Sequence, residues 1–190
     1  MTGDNNSRLE HKELSAVRPA LFLDRDGVIN MDKGYVHRPD GFEFIDGAPE
    51  TIQRFNDMGW RVFVVTNQTG IAHGFYTEAD MFYVHAHMQS ELKSYNAHID
   101  RIYYCPYDTR GMVARYILDS EDRKPHPGML LKAMENFPTD ASRSFLIGDK
   151  RTDIEAAQAA GIRGFLFKGG NLFEFASSVL EELGETPSNV

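Results

Sequence analysis

The chain has 190 residues, of which 42% are hydrophobic and 25% charged, with a formal net charge of -8 and one cysteine, Cys105. That is enough for one domain with a sizeable core and too little for two. The acidic balance disfavours a general nucleic-acid binder, which needs a basic face, and one thiol excludes an intrachain disulfide.

Residues 1–18 are polar and charged and read as a flexible tail before a domain spanning 19–190. Their sequence lacks the apolar core of a signal peptide, and no run in the chain approaches the ~18 to 20 apolar residues of a membrane span. A cytoplasmic protein with no membrane partner is expected. Short apolar runs follow at Ala20–Leu23, Val62–Val65, Ile102–Tyr104, Phe145–Ile147 and Gly164–Phe167, each bounded by polar residues or glycine. Their length and composition predict strands buried on both faces.

Helical patterns lie between them. Residues 48–59 place Ile52, Phe55 and Met58 on one stripe, with Gly59 as a C-terminal cap. Residues 77–96 begin at an N-cap candidate, Thr77, and carry Met81, Val84, Met88 and Leu92 on one stripe. Pro127 opens a third helix, residues 151–161 a fourth ending at Gly161, and residues 171–183 an amphipathic fifth. Alternating strands and helices predict a single α/β domain of Rossmann-like, three-layer form with a mostly parallel sheet. The spacers leave no room for a large cap domain. No helix shows a spare apolar face, so a monomer is expected.

In such sheets ligands bind beyond the carboxyl ends of the strands, and four polar motifs sit around predicted strand ends. Asp24-Arg25-Asp26-Gly27 follows the first strand; one carboxylate there can attack phosphorus and a second, two residues on, can move the proton. Thr66 and Asn67 end the second strand with short donors for a phosphoryl oxygen. Arg123 offers a planar fork and Lys124 a compact cation before the third helix. Asp149 ends the fourth strand, with Asp153 one helical turn on, and oxygen ligands on separate strand ends suit Mg²⁺. Each motif alone also reads as an ordinary turn, loop or helix start. Their joint order points to one site.

The stretches "FLDRDGVIN", "GYVHRPDGFEFIDGAPE", "VVTNQTGIAHGFYTE", "IYYCPYD", "DRKPHPGML" and "IGDKRTDIEAA" resemble the haloacid dehalogenase superfamily of phosphatases. Within it the chain looks most like the D-glycero-D-manno-heptose 1,7-bisphosphate phosphatases and the related histidinol-phosphate phosphatases. The resemblance implies a Mg²⁺-dependent phosphomonoester hydrolase acting on a small phosphorylated sugar. It implies Asp24 as the phosphorylated nucleophile, Asp26 as general acid/base, and Thr66 and Lys124 as phosphoryl stabilisers. Asp24, the Asp26 carbonyl and Asp149 would hold the metal, with Asp153 behind them orienting Lys150 or metal-bound water. Asp32, Gly34, Tyr35, Thr66, Asn67, Gln68, Thr69, Arg123, Lys124 and Lys150 match positions that approach substrate or metal. Histidinol phosphate is the alternative substrate. A non-catalytic phospho-ligand module is disfavoured because both motif-one acids are present.

Many members of that family hold a structural zinc on a Cys-x-His and Cys-x-Cys loop. Here Tyr107, Ser120 and Asp122 stand where three of the ligands would be, so no structural zinc is expected. Tyr107, Met112, Val113, Tyr116 and Ile117 are expected to pack that loop instead. His85 and His87, two apart on a helix, face different ways and do not make a metal pair. His37, His73 and His126 lie in motif loops and are better candidates for substrate contact.

Overall fold

The computed structural model describes residues 16–185. Five strands, β1 (Ala20–Leu23), β2 (Arg61–Asn67), β3 (Arg101–Cys105), β4 (Phe145–Gly148) and β5 (Arg163–Leu166), form one parallel sheet in the order β3-β2-β1-β4-β5. The helices are α1 (Ala48–Asp57), α2 (Glu78–Leu92), α3 (Gly128–Asn136), α4 (Arg151–Ala159) and α5 (Leu172–Leu183). Three short 3-10 turns, Pro39–Gly41, Lys93–Tyr95 and Ala114–Tyr116, complete the elements.

The period-two alternation of β1 splits the core into two layers. Leu21 and Leu23 point with Val62, Val64, Phe145 and Ile147 toward α1, α5 and the inner stripe of α2. Ala20 and Phe22 point with Phe63, Val65 and Leu146 toward α3 and α4. β1 is therefore central and fully buried. The chain builds outward from it through β2 to β3, then crosses to β4 and β5 on the other side. That reversal beside β1 is the switch point at which α/β sheets bind ligands.

Local signals set the helix ends. Thr77 Oγ1 accepts the Asp80 N–H and Asp80 Oδ2 accepts the Thr77 N–H, a reciprocal cap on α2. Gly59 follows α1 and Gly184 closes α5, both in the left-handed backbone conformation that glycine adopts without penalty.

Several expectations need correction. β3 and β5 are edge strands: Arg101, Arg163 and Leu166 are exposed and their neighbours half-buried, because only one strand flanks each. The tail expected over 1–18 falls largely on 1–15, outside the described residues. Arg18 pairs with Thr139, its N–H donating to Pro138 O, and Arg61 donates to Ala16 O, so residues 16–18 already line the sheet. α2 does carry spare apolar surface, with Phe82 and Tyr83 50% and 74% exposed. Between β1 and β2, and between β3 and β4, there are only loops, 3-10 turns and single helices, so no cap domain interrupts the described residues. No helix among them is long and apolar enough to cross a membrane.

Candidate active site

A cavity of about 220 Å³ opens at the carboxyl ends of β1, β2 and β4. Asp24 and Asp26 reach it from β1, Thr66, Asn67 and Thr69 from β2, and Lys124 from the loop before α3. Lys150 and Asp153 enter from the start of α4, and Asp32, Gly34 and Tyr35 from the loop after β1. The sheet thus brings together residues from four separate stretches of chain.

At the centre, Lys124 Nζ lies 3.1 Å from Asp24 Oδ1 and 2.6 Å from Asp153 Oδ1, and donates to Val65 O at 2.8 Å. Asn67 holds the lysine in place. Its Nδ2 donates to Lys124 O and its Oδ1 accepts the Lys124 N–H. Burial opposes the lysine's charge, but Asp24 and Asp153 outweigh it and keep the ammonium above its ordinary range.

Asp24 is 6% exposed and accepts the Arg25 N–H at 2.7 Å. Burial, with Asp153 and Asp26 adding to it and Lys124 opposing, raises its carboxyl to about 6. Burial likewise raises Asp149.

One oxygen each of Asp24, Asp149 and Asp153 can gather within 4.8 Å. The site fits a divalent cation on a second observation: Asp149 Oδ1 is buried without a hydrogen-bond partner. Asp153 is the least free of the three. Its Oδ1 pairs with Lys124 and its Oδ2 accepts the Lys150 N–H at 2.9 Å. Asp24 and Asp149 are therefore the better ligands, while Asp153 fixes the Lys150 main chain. The side chain of Lys150 instead sits 3.4 Å from Asp149 and 3.6 Å from Asp32.

Two glycines make this crowding possible. A Cβ on Gly27, which has a positive φ, would lie 2.5 Å from Asp149 Oδ2. A Cβ on Gly148 would lie 2.2 Å from the Asp153 Cβ, so β4 must end in glycine for α4 to fold back over it.

Three sequence-predicted residues stand elsewhere. Asp149 lines the adjoining groove beside Gly27 rather than the cavity itself. Gln68 is buried and stands behind the cavity wall rather than in it. Its Nε2 donates to both Asp26 Oδ2 and Thr66 Oγ1, and its Oε1 accepts from the Tyr76 hydroxyl at 2.6 Å. Burial raises the Tyr76 pKa, keeping that hydroxyl a donor. Because Thr66 Oγ1 accepts from Gln68, its own proton is left to point toward the cavity.

Arg123 also turns away, donating to Tyr107 O at 3.1 Å and to Asp108 Oδ2 at 3.1 Å. Asp108, 2% exposed, additionally binds the Arg110 N–H and guanidinium and faces His73 Nε2 at 3.4 Å. This ion-pair hub, together with an apolar cluster that packs Tyr107, Val113 and Tyr116 against Ile71 and Met81, holds the 105–122 loop. Tyr116 is buried there, and Tyr107 and Val113 half-buried, but Met112 and Ile117 are 80% and 47% exposed. Burial alone would raise Asp108; its bonds to Arg110 and the charge of Arg123 outweigh that and lower it to about 2. A carboxyl depressed in the folded state stabilises above its unfolded value, near 3.8, and loses that stability as pH falls through about 2. Asp108→Asn is expected to cost about 1–2 kcal/mol at pH 7. The gap to wild type should close between pH 4 and 2 in urea titrations; a constant gap would contradict this account.

The loop histidines do not line the cavity. His37 stacks on Tyr76 at 5.2 Å, His73 on Phe75 at 5.7 Å, and His126 lies at the surface near Asp119 and Glu121. His87 meets the Phe42 ring edge-on and His85 is buried, so the two do face different ways.

The residues sequence reasoning missed surround Asp26. Arg25 Nη2 donates to both of its oxygens, at 3.0 and 2.9 Å, and Asn30 Nδ2 donates at 3.0 Å. With Gln68 these leave 19% of the Asp26 side chain exposed, on the cavity side. Tyr76 and Thr152 complete the wall. Their local sequence resembles any loop or helix start; only long-range contact marks them.

The fold and this set of acids, lysine and hydroxyl define a haloacid-dehalogenase-like hydrolase, and residues 122–189 match the HAD-hydrolase-like family model. A D-glycero-beta-D-manno-heptose-1,7-bisphosphate 7-phosphatase from Rhodopseudomonas palustris is 43% identical over 166 residues, covering 87% of this chain and 92% of its own. A HAD-like phosphatase from Mesorhizobium loti superimposes with TM-score 0.78 at 35% identity, covering 83% of this chain and 76% of its own. A D,D-heptose 1,7-bisphosphate phosphatase from B. bronchiseptica, complexed with magnesium and phosphate, gives TM-score 0.73 at 29% identity, covering 84% and 86%. The chain belongs to the D-glycero-beta-D-manno-heptose-1,7-bisphosphate 7-phosphatase family.

Proposed function

We propose that this protein removes the 7-phosphate of D-glycero-D-manno-heptose 1,7-bisphosphate through an aspartyl phosphate on Asp24, with Mg²⁺ bound. The observation that carries this reading is the Asp24 carboxylate, held at the end of a buried strand, 3.1 Å from Lys124. The strand fixes the nucleophile, so the orienting entropy is met before substrate arrives.

Asp24 attacks phosphorus in line with the departing sugar oxygen, and Asp26 gives that oxygen its proton. The sugar leaves, and Asp26, now a carboxylate, takes a proton from the water that cleaves the acyl phosphate. Lys124 and the Thr66 hydroxyl stabilise charge gathering on the phosphoryl oxygens. Asp32, Gly34, Tyr35 and Thr69 form the wall facing the sugar. Tyr35 adopts a left-handed backbone conformation, and Gly34 N–H closes a turn onto Asp32 Oδ1, so the rim is set before substrate arrives. Asp24, Asp149 and the main-chain carbonyl of Asp26 would hold Mg²⁺, which would supply a Lewis acid to offset repulsion between carboxylate and phosphate.

Two measurements test this reading. Chelation with EDTA should stop phosphate release from heptose 1,7-bisphosphate, and Mg²⁺ should restore it. Asp149→Ala should raise the Mg²⁺ concentration for half-maximal rate by roughly 10-fold or more while the protein stays folded. Full activity in EDTA, or an unchanged Mg²⁺ requirement, would remove Asp149 and the metal from the mechanism.

A further inference from the structure

We propose that His85, on α2, is a positioning residue for Asp26 and acts through Arg25. The proposal rests on the reading of Asp26 as proton donor to the leaving sugar.

Arg25 is fully buried, which for a cation demands partners. Nη2 donates to both Asp26 oxygens and to Val36 O at 2.8 Å. Nη1 meets His85 Nε2 at 3.1 Å, its one partner among the described residues. Nε is buried and has none. The planar fork therefore hangs from three anchors: the acid it positions, the loop that carries Asp32 and Tyr35, and the histidine.

His85 alone holds the side of the fork away from Asp26, and so sets the tilt of the guanidinium plane. Burial and the Arg25 charge keep its imidazole neutral, so Nε2 is free to accept from Arg25. An apolar side chain there leaves Nη1 and Nε both unpartnered in the interior. The guanidinium then turns to find acceptors, and Asp26 turns with it. Asn30 and Gln68 each give Asp26 a single hydrogen bond to one oxygen, whereas Arg25 Nη2 spans both oxygens and so does more to hold the carboxylate.

The consequence depends on the leaving group. A sugar alkoxide needs the proton from Asp26, whereas p-nitrophenolate departs as a stable anion. His85→Leu should lower kcat/KM on heptose 1,7-bisphosphate by about 30-fold and on p-nitrophenyl phosphate by less than about 3-fold. His85→Gln, whose amide oxygen can accept from Arg25, should restore the sugar reaction to within about 3-fold of wild type. The ratio of the two substrates is independent of the folded fraction, and His85→Met replaces the leucine variant should that fail to fold. Equal losses on both substrates, or equal rates for the leucine and glutamine variants, would reduce His85 to packing. Asp26→Asn separates the two ideas. It should show the same selectivity more strongly, and if it shows none, the proton-donor reading fails first and takes this proposal with it.

Discussion

Replacing Asp24 by asparagine should abolish phosphate release, lowering it by roughly 10⁴-fold or more, and should leave the fold in place. The amide has the carboxylate's shape but lacks its nucleophilic charge. Lys124 keeps its second partner, Asp153, at 2.6 Å, so no buried cation is stranded. Stability should rise slightly at neutral pH without metal. Because burial raises the Asp24 carboxyl to about 6, the folded state holds that proton more tightly than the unfolded chain does. Metal-free wild type therefore loses stability as pH climbs from about 4 to above 6, and the asparagine variant lacks this loss. Rapid quenching with labelled substrate should trap a phosphoaspartate at residue 24 in wild type and none in the variant. Turnover by the variant at even a few per cent of wild type would exclude Asp24 as the phosphorylated group.

Lys124→Met should damage both stability and rate. The ammonium sits between Asp24 and Asp153, and all three side chains are buried. Methionine fills similar space but leaves two buried carboxylates facing each other, a change of the kind that destabilises by about 3–5 kcal/mol. Without the lysine, Asp24 keeps its proton to a pH above its wild-type value of about 6, so the deficit should be smallest below about pH 6 and grow as pH rises past it. Mg²⁺ should also recover part of it by supplying another cation. The rate should fall by about 10²–10³-fold or more, since the phosphoryl oxygens lose a fixed positive partner. Urea melts in EDTA, repeated with Mg²⁺, check the first effect and steady-state kinetics the second. A variant as stable as wild type in EDTA would show that Asp24 and Asp153 do not depend on Lys124.

These two outcomes bear on different layers of the site. Asp24 tests the chemistry, whereas Lys124 tests how the charges are balanced when no cation is bound. A protein that passed the first and failed the second would keep its reaction class and need another account of its stability.

The strands and helices were readable because their signals are local. β1 matches its expected bounds because Ala20–Leu23 is apolar throughout and ends sharply at Asp24. Thr77 and Gly59 end their helices through groups within a few residues. The burial of β3 and β5 was not readable. An apolar run looks alike in a central and an edge strand until the sheet order is known.

The motif acids, Thr66 and Lys124 could be read from the sequence because each follows or precedes a recognisable element, and a parallel sheet must bring such strand ends to one edge. Tertiary structure alone decided which neighbours work on them. Gln68 and Arg123, expected at the substrate, face inward to Asp26 and Asp108 instead. Arg25 looked like a charge between two acids, and its contact with His85 spans 60 residues of chain. Local sequence specifies backbone preference and the ends of elements. The partner of a buried charge is set by which distant side chain the packing brings within about 3 Å, and no local spacing carries that information.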